Sequence, residues 1–281
     1  MRVLGLGDNV VDIYEYKQTM YPGGNALNFA VFARKLGFDS AFLGAFGTDE
    51  IAQHVRSSAE SFNVDLSRCR TYEGENGYAR VTLKDGDRVF LGSNKGGVLR
   101  THGLKITEQD ADYLKTFDLV HLNINGFSDT YLSFIHDQGA VISYDFSEGF
   151  TEEHIKKVAQ YIDIACFSCS HLNEDEITAL CHLVVESGCS MVLCTRGAEG
   201  AYLFTEGKFY RQPAHYVEAT DTMGAGDAFI TCFLLHYVQG MINHKDKENT
   251  IRKSLARAAD FSSKQCLIEG SFGKGKRINS L

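Results

Sequence analysis

The segment Asp221-Thr222-Met223-Gly224-Ala225-Gly226-Asp227-Ala228-Phe229 leads straight into a long apolar stretch of helical character. Gly224 and Gly226 let the backbone come close to a ligand. The first turn of a helix leaves N–H groups without intrahelical partners. The macrodipole adds about half a positive charge at the same end. Loop and helix end together make an anion site suited to phosphate oxygens. Asp227 falls in that first turn, and a carboxylate beside a phosphate site can take the proton from an attacking hydroxyl. An isolated GxGD would equally serve as a tight turn whose acid offsets the dipole, so the reading leans on what accompanies it.

A second polar group lies near the start. Asp8 and Asp12 are four residues apart and share one face of an extended strand. Asn9 sits beside Asp8, and Pro22-Gly23-Gly24-Asn25 and Asn28 follow. Carboxylates and amides around glycine-rich backbone suit a polyol, whose hydroxyls both donate and accept. The same residues fit helix capping, with Asn25 as N-cap and Asp8 as a loop residue. A third piece, Cys194-Thr195-Arg196-Gly197-Ala198-Glu199-Gly200, is a strand end with two spaced glycines. Ligands gather at the carboxyl ends of strands in open α/β sheets, so a nucleotide's phosphates can sit there; a plain turn fits as well. Asn173-Glu174-Asp175-Glu176 reads first as carboxylates offsetting a helix dipole.

Apolar runs at 2–8, 39–46, 118–124, 141–146, 161–168 and 190–195 read as strands. Each precedes a turn or a helix-length segment, including one from Asn25 ended by Gly37 and one over 49–62. Strand and helix in alternation predict a parallel sheet covered on both faces, an α/β fold. Segments 201–204 and 208–212 read as a hairpin in the same body. Two segments break the alternation, Val10–Tyr16 and Asn76 to about Phe90, the latter turning at Asp85-Gly86. They predict a small antiparallel sheet that leaves the body, either a lid that excludes water or a surface hairpin. In numbers, the body would comprise 1–11, 17–75 and 98–281, and the β lid 12–16 and 76–97. The tail after Glu269 is Gly- and Lys-rich and is expected to fray.

The 281 residues predict one to two domains, with 44% hydrophobic and 23% charged residues, which fits a globular chain. The net charge of −8 argues against nucleic acid or an anionic membrane as main partner, though a site can be locally positive. No apolar run approaches a membrane span, and Asp8 comes too early for a secretory core. Of eight cysteines, only Cys166 and Cys169 form a CxxC. No second ligand pair at compatible spacing accompanies it, so buried thiols in a reduced, cytoplasmic protein are expected.

The chain resembles the PfkB, or ribokinase-like, carbohydrate kinases. DTMGAGDAF (221–229) is similar to their C-terminal signature. PGGNALNFAVFARKLG (22–37), running into FLGAFGTDEIAQ (42–53), is similar to their N-terminal one. More narrowly, GDNVVDIY (7–14), GGNALNFAV (23–31), DGDRVF (85–90), YDFS (144–147) and 221–227 resemble fructosamine kinases of the fructoselysine 6-kinase type. Thr222-Met223 departs from the commoner Thr-Thr or Thr-Val.

The resemblance implies a ribokinase-like three-layer α/β/α sandwich with a β-sheet lid. It implies Asp227 as general base and the backbone of Gly224, Ala225 and Gly226 as the anion hole. Asp8, Asp12, Gly23, Gly24, Asn25, Asn28 and the lid-hinge Asn94 would hold the sugar. Thr195, Gly197 and Gly200 would line the nucleotide site, with Ser263 and Ala259 as guesses for the adenine pocket. Asn173 and Glu176 match an NxxE motif that organises magnesium through water. ATP and Mg2+ are implied, with a monovalent cation such as K+ left open. The expected reaction moves the γ-phosphoryl group of ATP to a primary hydroxyl of a ketose-like sugar, fructoselysine first. Fructose, ribose or a nucleoside, and a non-catalytic sensor on the same fold, are the alternatives. The lid's open sheet suggests a homodimer; a monomer fits too.

Overall fold

The computed structural model describes residues 1–84 and 87–278. The predicted Asp85-Gly86 turn therefore lies outside the described residues. In chain order the strands are β1 (Arg2–Gly7), β2 (Val10–Tyr14), β3 (Thr19–Gly23), β4 (Asp39–Phe46), β5 (Arg70–Thr71), β6 (Gly77–Lys84), β7 (Asp87–Ser93), β8 (Leu119–Asn123), β9 (Val141–Asp145), β10 (Ile164–Ser168), β11 (Met191–Thr195), β12 (Ala201–Thr205), β13 (Lys208–Gln212) and β14 (Lys276–Arg277). The α-helices are α1 (Asn25–Lys35), α2 (Glu50–Glu60), α3 (Gly97–His102), α4 (Ala111–Leu114), α5 (Leu132–His136), α6 (Glu152–Val158), α7 (Glu174–Glu186), α8 (Ala225–Ile242) and α9 (Lys247–Gln265).

Nine strands form the main sheet in the order β13-β12-β11-β10-β9-β8-β1-β4-β5, parallel from β11 to β5. The two-residue Glu206-Gly207 turn closes the predicted hairpin, with φ of 50° and 72°. Side chains alternate across the sheet, and both faces are apolar. Val3, Leu119, Ile164, Cys166, Met191 and Leu193 meet Phe29 of α1, Phe229 and Phe233 of α8, and Leu255 of α9. Leu4, Val120, Ile142, Phe167 and Val192 meet Ile135 of α5, Ile155 of α6 and Ile177 of α7. Those two faces are why the strand sequences lack polar alternation, and they give the predicted ribokinase-like α/β/α layers.

A second sheet has the order β14-β3-β2-β6-β7, with β2 and β6 parallel and the other pairs antiparallel. It is larger than the two segments that broke the alternation. Strand β3 joins because Glu15–Lys17 form one 3₁₀ turn and Gln18 takes a left-handed φ of 49°, which reverses the chain without any Asn-Gly or Asp-Gly signal. The tail joins through β14, Lys276 against Met20 and Arg277 against Thr19. Residues 279–281 lie outside the described residues. Val11, Ile13 and Met20 of this sheet pack into the core formed by α1, α2 and β4.

Candidate active site

Helix α8 begins where the sequence placed it. Gly224 is its N-cap in the left-handed region (φ 71°), and Ala225 to Asp227 form the first turn. A Cβ on Gly224 would lie 2.8 Å from Cβ of Ser271, so both backbone angle and space restrict that position to glycine. Ala225 and Gly226 face a cavity of about 600 Å3 that reaches Thr195, Gly197, Gly200, Ala259 and Ser263. All of the residues anticipated for a nucleotide therefore line one hollow at the N-terminus of α8. Glu148, His215, Tyr216 and Ser262 also line it and had no role in the sequence reading. Among the described residues no Lys or Arg lines it.

Asp227 keeps a partly open face. Its Oδ1 accepts from Asn25 Nδ2 (2.9 Å) and its Oδ2 from Asn28 Nδ2 (2.5 Å). Burial among protein atoms raises its proton affinity to about 6, partly offset by the Asn28 and Asn25 hydrogen bonds, with the Asp8 charge adding to the rise. At neutral pH the group is mostly ionised and close to a useful strength as a base.

Asn25 is not the N-cap that capping rules suggested. Gly24 occupies that position at φ 104°, ψ 131°, and Asn25 is the first helical residue. A Cβ at Gly24 would lie 2.8 Å from Cα of Asn9, so the chain there can only be glycine, and the cap comes from elsewhere. Asp8 supplies it from across the sheet edge: Oδ2 accepts from Asn25 N (3.1 Å) and Oδ1 from Ala26 N (3.0 Å). Asn123 Nδ2 adds a third bond at 2.8 Å. Burial pushes the Asp8 carboxyl up and these donors pull it back. Asp8 thus braces the first turn of α1.

The Asn25 side chain, freed from capping, donates to Asp145 Oδ2 at 2.8 Å as well as to Asp227. Its Oδ1 meets His121 Nε2 at 3.0 Å. His121 in turn meets Ser143 Oγ through Nδ1 at 2.8 Å. Burial pushes the imidazole down to about 3, so it is neutral. Asp145, at the end of β9, is pushed up to about 7 by burial and then by the Asp227 charge. His121, Asn123 and Asp145 were not singled out from sequence.

Asp12 on β2 is buried and faces Gly23: a Cβ there would lie 3.2 Å from Asp12 Oδ2, 3.3 Å from Ser271 Oγ and 3.8 Å from Asn28 Oδ1. The Asn28 Oδ1 is buried and has no hydrogen-bond partner among the described residues. A buried acceptor in that state costs free energy unless a ligand donates to it. Asn94 is committed to the turn: Oδ1 accepts from Tyr78 N (3.0 Å) and Nδ2 donates to Asn76 O (2.7 Å). Asn173 and Glu176 form a capping box, Asn173 Oδ1 accepting from Asp175 N and Glu176 N while Glu176 accepts from Asn173 N. Neither lines the cavity. Among the described residues no group of three or more His, Cys, Asp or Glu is placed to hold a metal ion. Cys166 and Cys169 are buried free thiols. Among the described residues no helix is long and apolar enough to cross a membrane.

An open α/β sheet with a helix N-terminus facing a cavity and a carboxylate beside it suits phosphoryl transfer. The chain belongs to the pfkB family of carbohydrate kinases, whose family model matches residues 3–271. It is 37% identical to fructosamine kinase FrlD of Bacillus subtilis (strain 168) over 277 residues, 98% of this chain and 94% of that protein. It is 28% identical to fructoselysine 6-kinase of Escherichia coli (strain K12) over 267 residues, 95% of this chain and 98% of that one. In fold it is similar to a fructokinase with bound ATP from Xylella fastidiosa, with a TM-score of 0.81 at 18% identity, covering 96% of this chain and 94% of that one.

Proposed function

We propose that this carbohydrate kinase is an ATP-dependent fructosamine 6-kinase acting on fructoselysine or a close Amadori compound. Its two most informative relatives act, by name, on those compounds. The observation that carries the chemistry is Asp227: a partly open carboxylate held by Asn25 and Asn28 at the N-terminus of α8. ATP lies in the cavity at Thr195, Gly197, Gly200 and Ser263, with its γ-phosphate at the amides of Gly224, Ala225 and Gly226. The C6 hydroxyl of the sugar gives its proton to Asp227. Its oxygen forms the new bond to the γ-phosphorus, and the bond from that phosphorus to the β–γ bridging oxygen breaks, releasing ADP. The amides stabilise charge on the transferring group without reorganising.

Asp12, Gly23 and the Asn28 carbonyl hold the sugar, while Asp8, Asn25 and Asn94 hold the residues around it. The second sheet closes on the bound sugar as a lid and keeps water from competing as nucleophile. With no Lys or Arg on the cavity wall among the described residues, neutralising the phosphates falls to the amides and to cations. Magnesium, when bound, would spread the phosphate charge, with Asn173 and Glu176 the residues that would organise it through water; K+ beside the anion hole belongs to the same reading. The lid's outer edge is proposed to pair with a second copy, and the protein is placed in the cytoplasm.

The test is ADP release with fructoselysine, fructose, ribose and adenosine, followed by phosphorus NMR of the product. The proposal predicts the highest kcat/KM with fructoselysine and a phosphate on C6. A preference for free fructose, ribose or adenosine transfers the assignment to that substrate. No transfer to any of them overturns it.

A further inference from the structure

Helix α1 donates the side chain that touches the base, and that side chain is itself held from behind. Asn25 Oδ1 can only accept, so His121 donates to it from Nε2 and accepts from the Ser143 hydroxyl at Nδ1. This fixes which end of the Asn25 amide is nitrogen. Both hydrogens of that nitrogen are then spent, one on Asp145 Oδ2 and one on Asp227 Oδ1. Asp145 is held in its turn, because its Oδ1 accepts from Ser147 N at 2.8 Å. Parallel register of β8 and β9 builds the support, with His121 opposite Ser143 and Asn123 opposite Asp145.

We propose that Asp145 is a positioning residue for Asp227: with His121 it locks the Asn25 amide, which keeps one amide hydrogen on the base and aims it at the sugar hydroxyl. This rests on Asp227 being the base. Asp145 has no access to the transferring group through this network; it acts through Asn25. Asp145 is pushed up to about 7 and Asp227 to about 6, so Asp145 is mostly protonated where Asp227 titrates and adds little charge to it there. Asn25 donates to the Asp227 carboxylate, which favours the ionised base. Each hydrogen-bonded oxygen of Asp145 accepts one N–H and keeps a second lone pair that can take a proton. Burial and the Asp227 charge together lift its proton affinity to about 7.

Other titratable groups face Asp145. Asp8 adds like charge from the β1–β2 connection, Cys166 faces it from β10 with a thiol that burial pushes well above its usual value, and Tyr144 precedes it on β9. His121 on β8 is neutral throughout the working range. The pH response at the site is therefore set by carboxylates, with Asp227 and Asp145 the pair joined through one amide.

The experiment compares pH profiles of kcat/KM for Asp145→Asn and Asn25→Ala with the parent enzyme, with Asp227→Asn assayed alongside. Asp145→Asn keeps an acceptor for Asn25 and removes the charge. Its kcat should fall by about 10-fold with the sugar KM within about twofold, because an amide has one acceptor oxygen where Asp145 uses two. The acid limb should stay in place, because Asp145, at about 7, is already mostly protonated where Asp227, at about 6, titrates. Asn25→Ala should move the limb up and lower kcat by about 10- to 100-fold, because the base is no longer held in line. A residue that only supports the fold would change stability and leave kcat of the folded variant in place. An unchanged kcat in folded Asp145→Asn, or an unmoved limb in Asn25→Ala, overturns the proposal. If Asp145→Asn does not fold, the Asn25→Ala limb decides alone, and its failure to rise overturns the proposal. If Asp227→Asn keeps full activity, the base assignment itself falls; if Asp227→Asn is dead and Asp145→Asn keeps the parent kcat, only the role of Asp145 falls.

Discussion

Asn28 donates to Asp227 at 2.5 Å while its own carbonyl oxygen is buried without a partner among the described residues. One amide thus donates to Asp227 with its nitrogen and, under the proposed function, offers the sugar an acceptor with its oxygen. Asn28→Ala is expected to lower kcat and raise the sugar KM by about 10-fold each, with the ATP KM little changed. Asn28→Asp puts a second carboxylate on Asp227, and the acid limb of kcat/KM should rise. Steady-state kinetics from pH 5 to 9 check both.

Buried carboxylates also set the direction in which stability depends on pH. Asp145 and Asp227 have folded-state proton affinities raised to about 7 and about 6, above the ordinary aspartate value of about 4. Between those limits the folded chain holds more protons than the unfolded one. Their contribution to stability is then complete below about pH 4 and is lost as pH rises through 6 and 7. Measured against the parent, Asp145→Asn and Asp227→Asn should gain about 2–6 °C between pH 4 and pH 8, on top of a loss at both pH values from setting the new NH2 against an N–H donor that the carboxylate accepted from. Thermal melts of the ligand-free protein at both pH values measure it.

Gly224 and Gly226 are glycines for different reasons. At Gly224 a methyl would meet Ser271 within 2.8 Å at a left-handed φ. Gly224→Ala should therefore cost about 1–3 kcal/mol of stability as well as activity. At Gly226 the nearest atom to an added Cβ is Thr195 Oγ1 at 4.0 Å. Gly226→Ala should fold normally and raise the KM for ATP, since the methyl enters the cavity. Denaturant titration and ATP kinetics separate the two.

The anion-hole loop is tied to the second sheet through Asp221. Tyr14 Oη donates to its Oδ2 at 2.6 Å, as does Gly270 N at 2.8 Å, while Met223 N donates to Oδ1 at 3.0 Å. Tyr14→Phe removes one donor from a buried carboxylate and should cost about 1–3 kcal/mol. Urea unfolding at pH 7 reads this loss.

Much of this site lay open in the sequence because it is contiguous. Gly224 to Asp227 span four residues, and one helix start carries the whole chemical idea. The α/β alternation was legible for the same reason, since each strand is a compact apolar run. His121, Ser143, Asn123 and Asp145 were not, because single polar residues on separate strands acquire meaning only from register. The available signal was their spacing: two polar residues two apart on one face of otherwise apolar strands, near the carboxyl ends. Asp8 and Asn25 were seen, yet their roles were exchanged, since a carboxylate 17 residues upstream caps α1 and leaves Asn25 free for the base. Strand β14 had no signal at all, its residues being ordinary tail composition that pairs only because β3 is there.

Single-turnover phosphoryl transfer by Asp227→Asn, with sugar and ATP binding measured by calorimetry on the same sample, reaches the central claim directly. The account predicts a rate lower by about 10²- to 10⁴-fold with both affinities retained. A rate within a few-fold of the parent, with folding and binding intact, would contradict it.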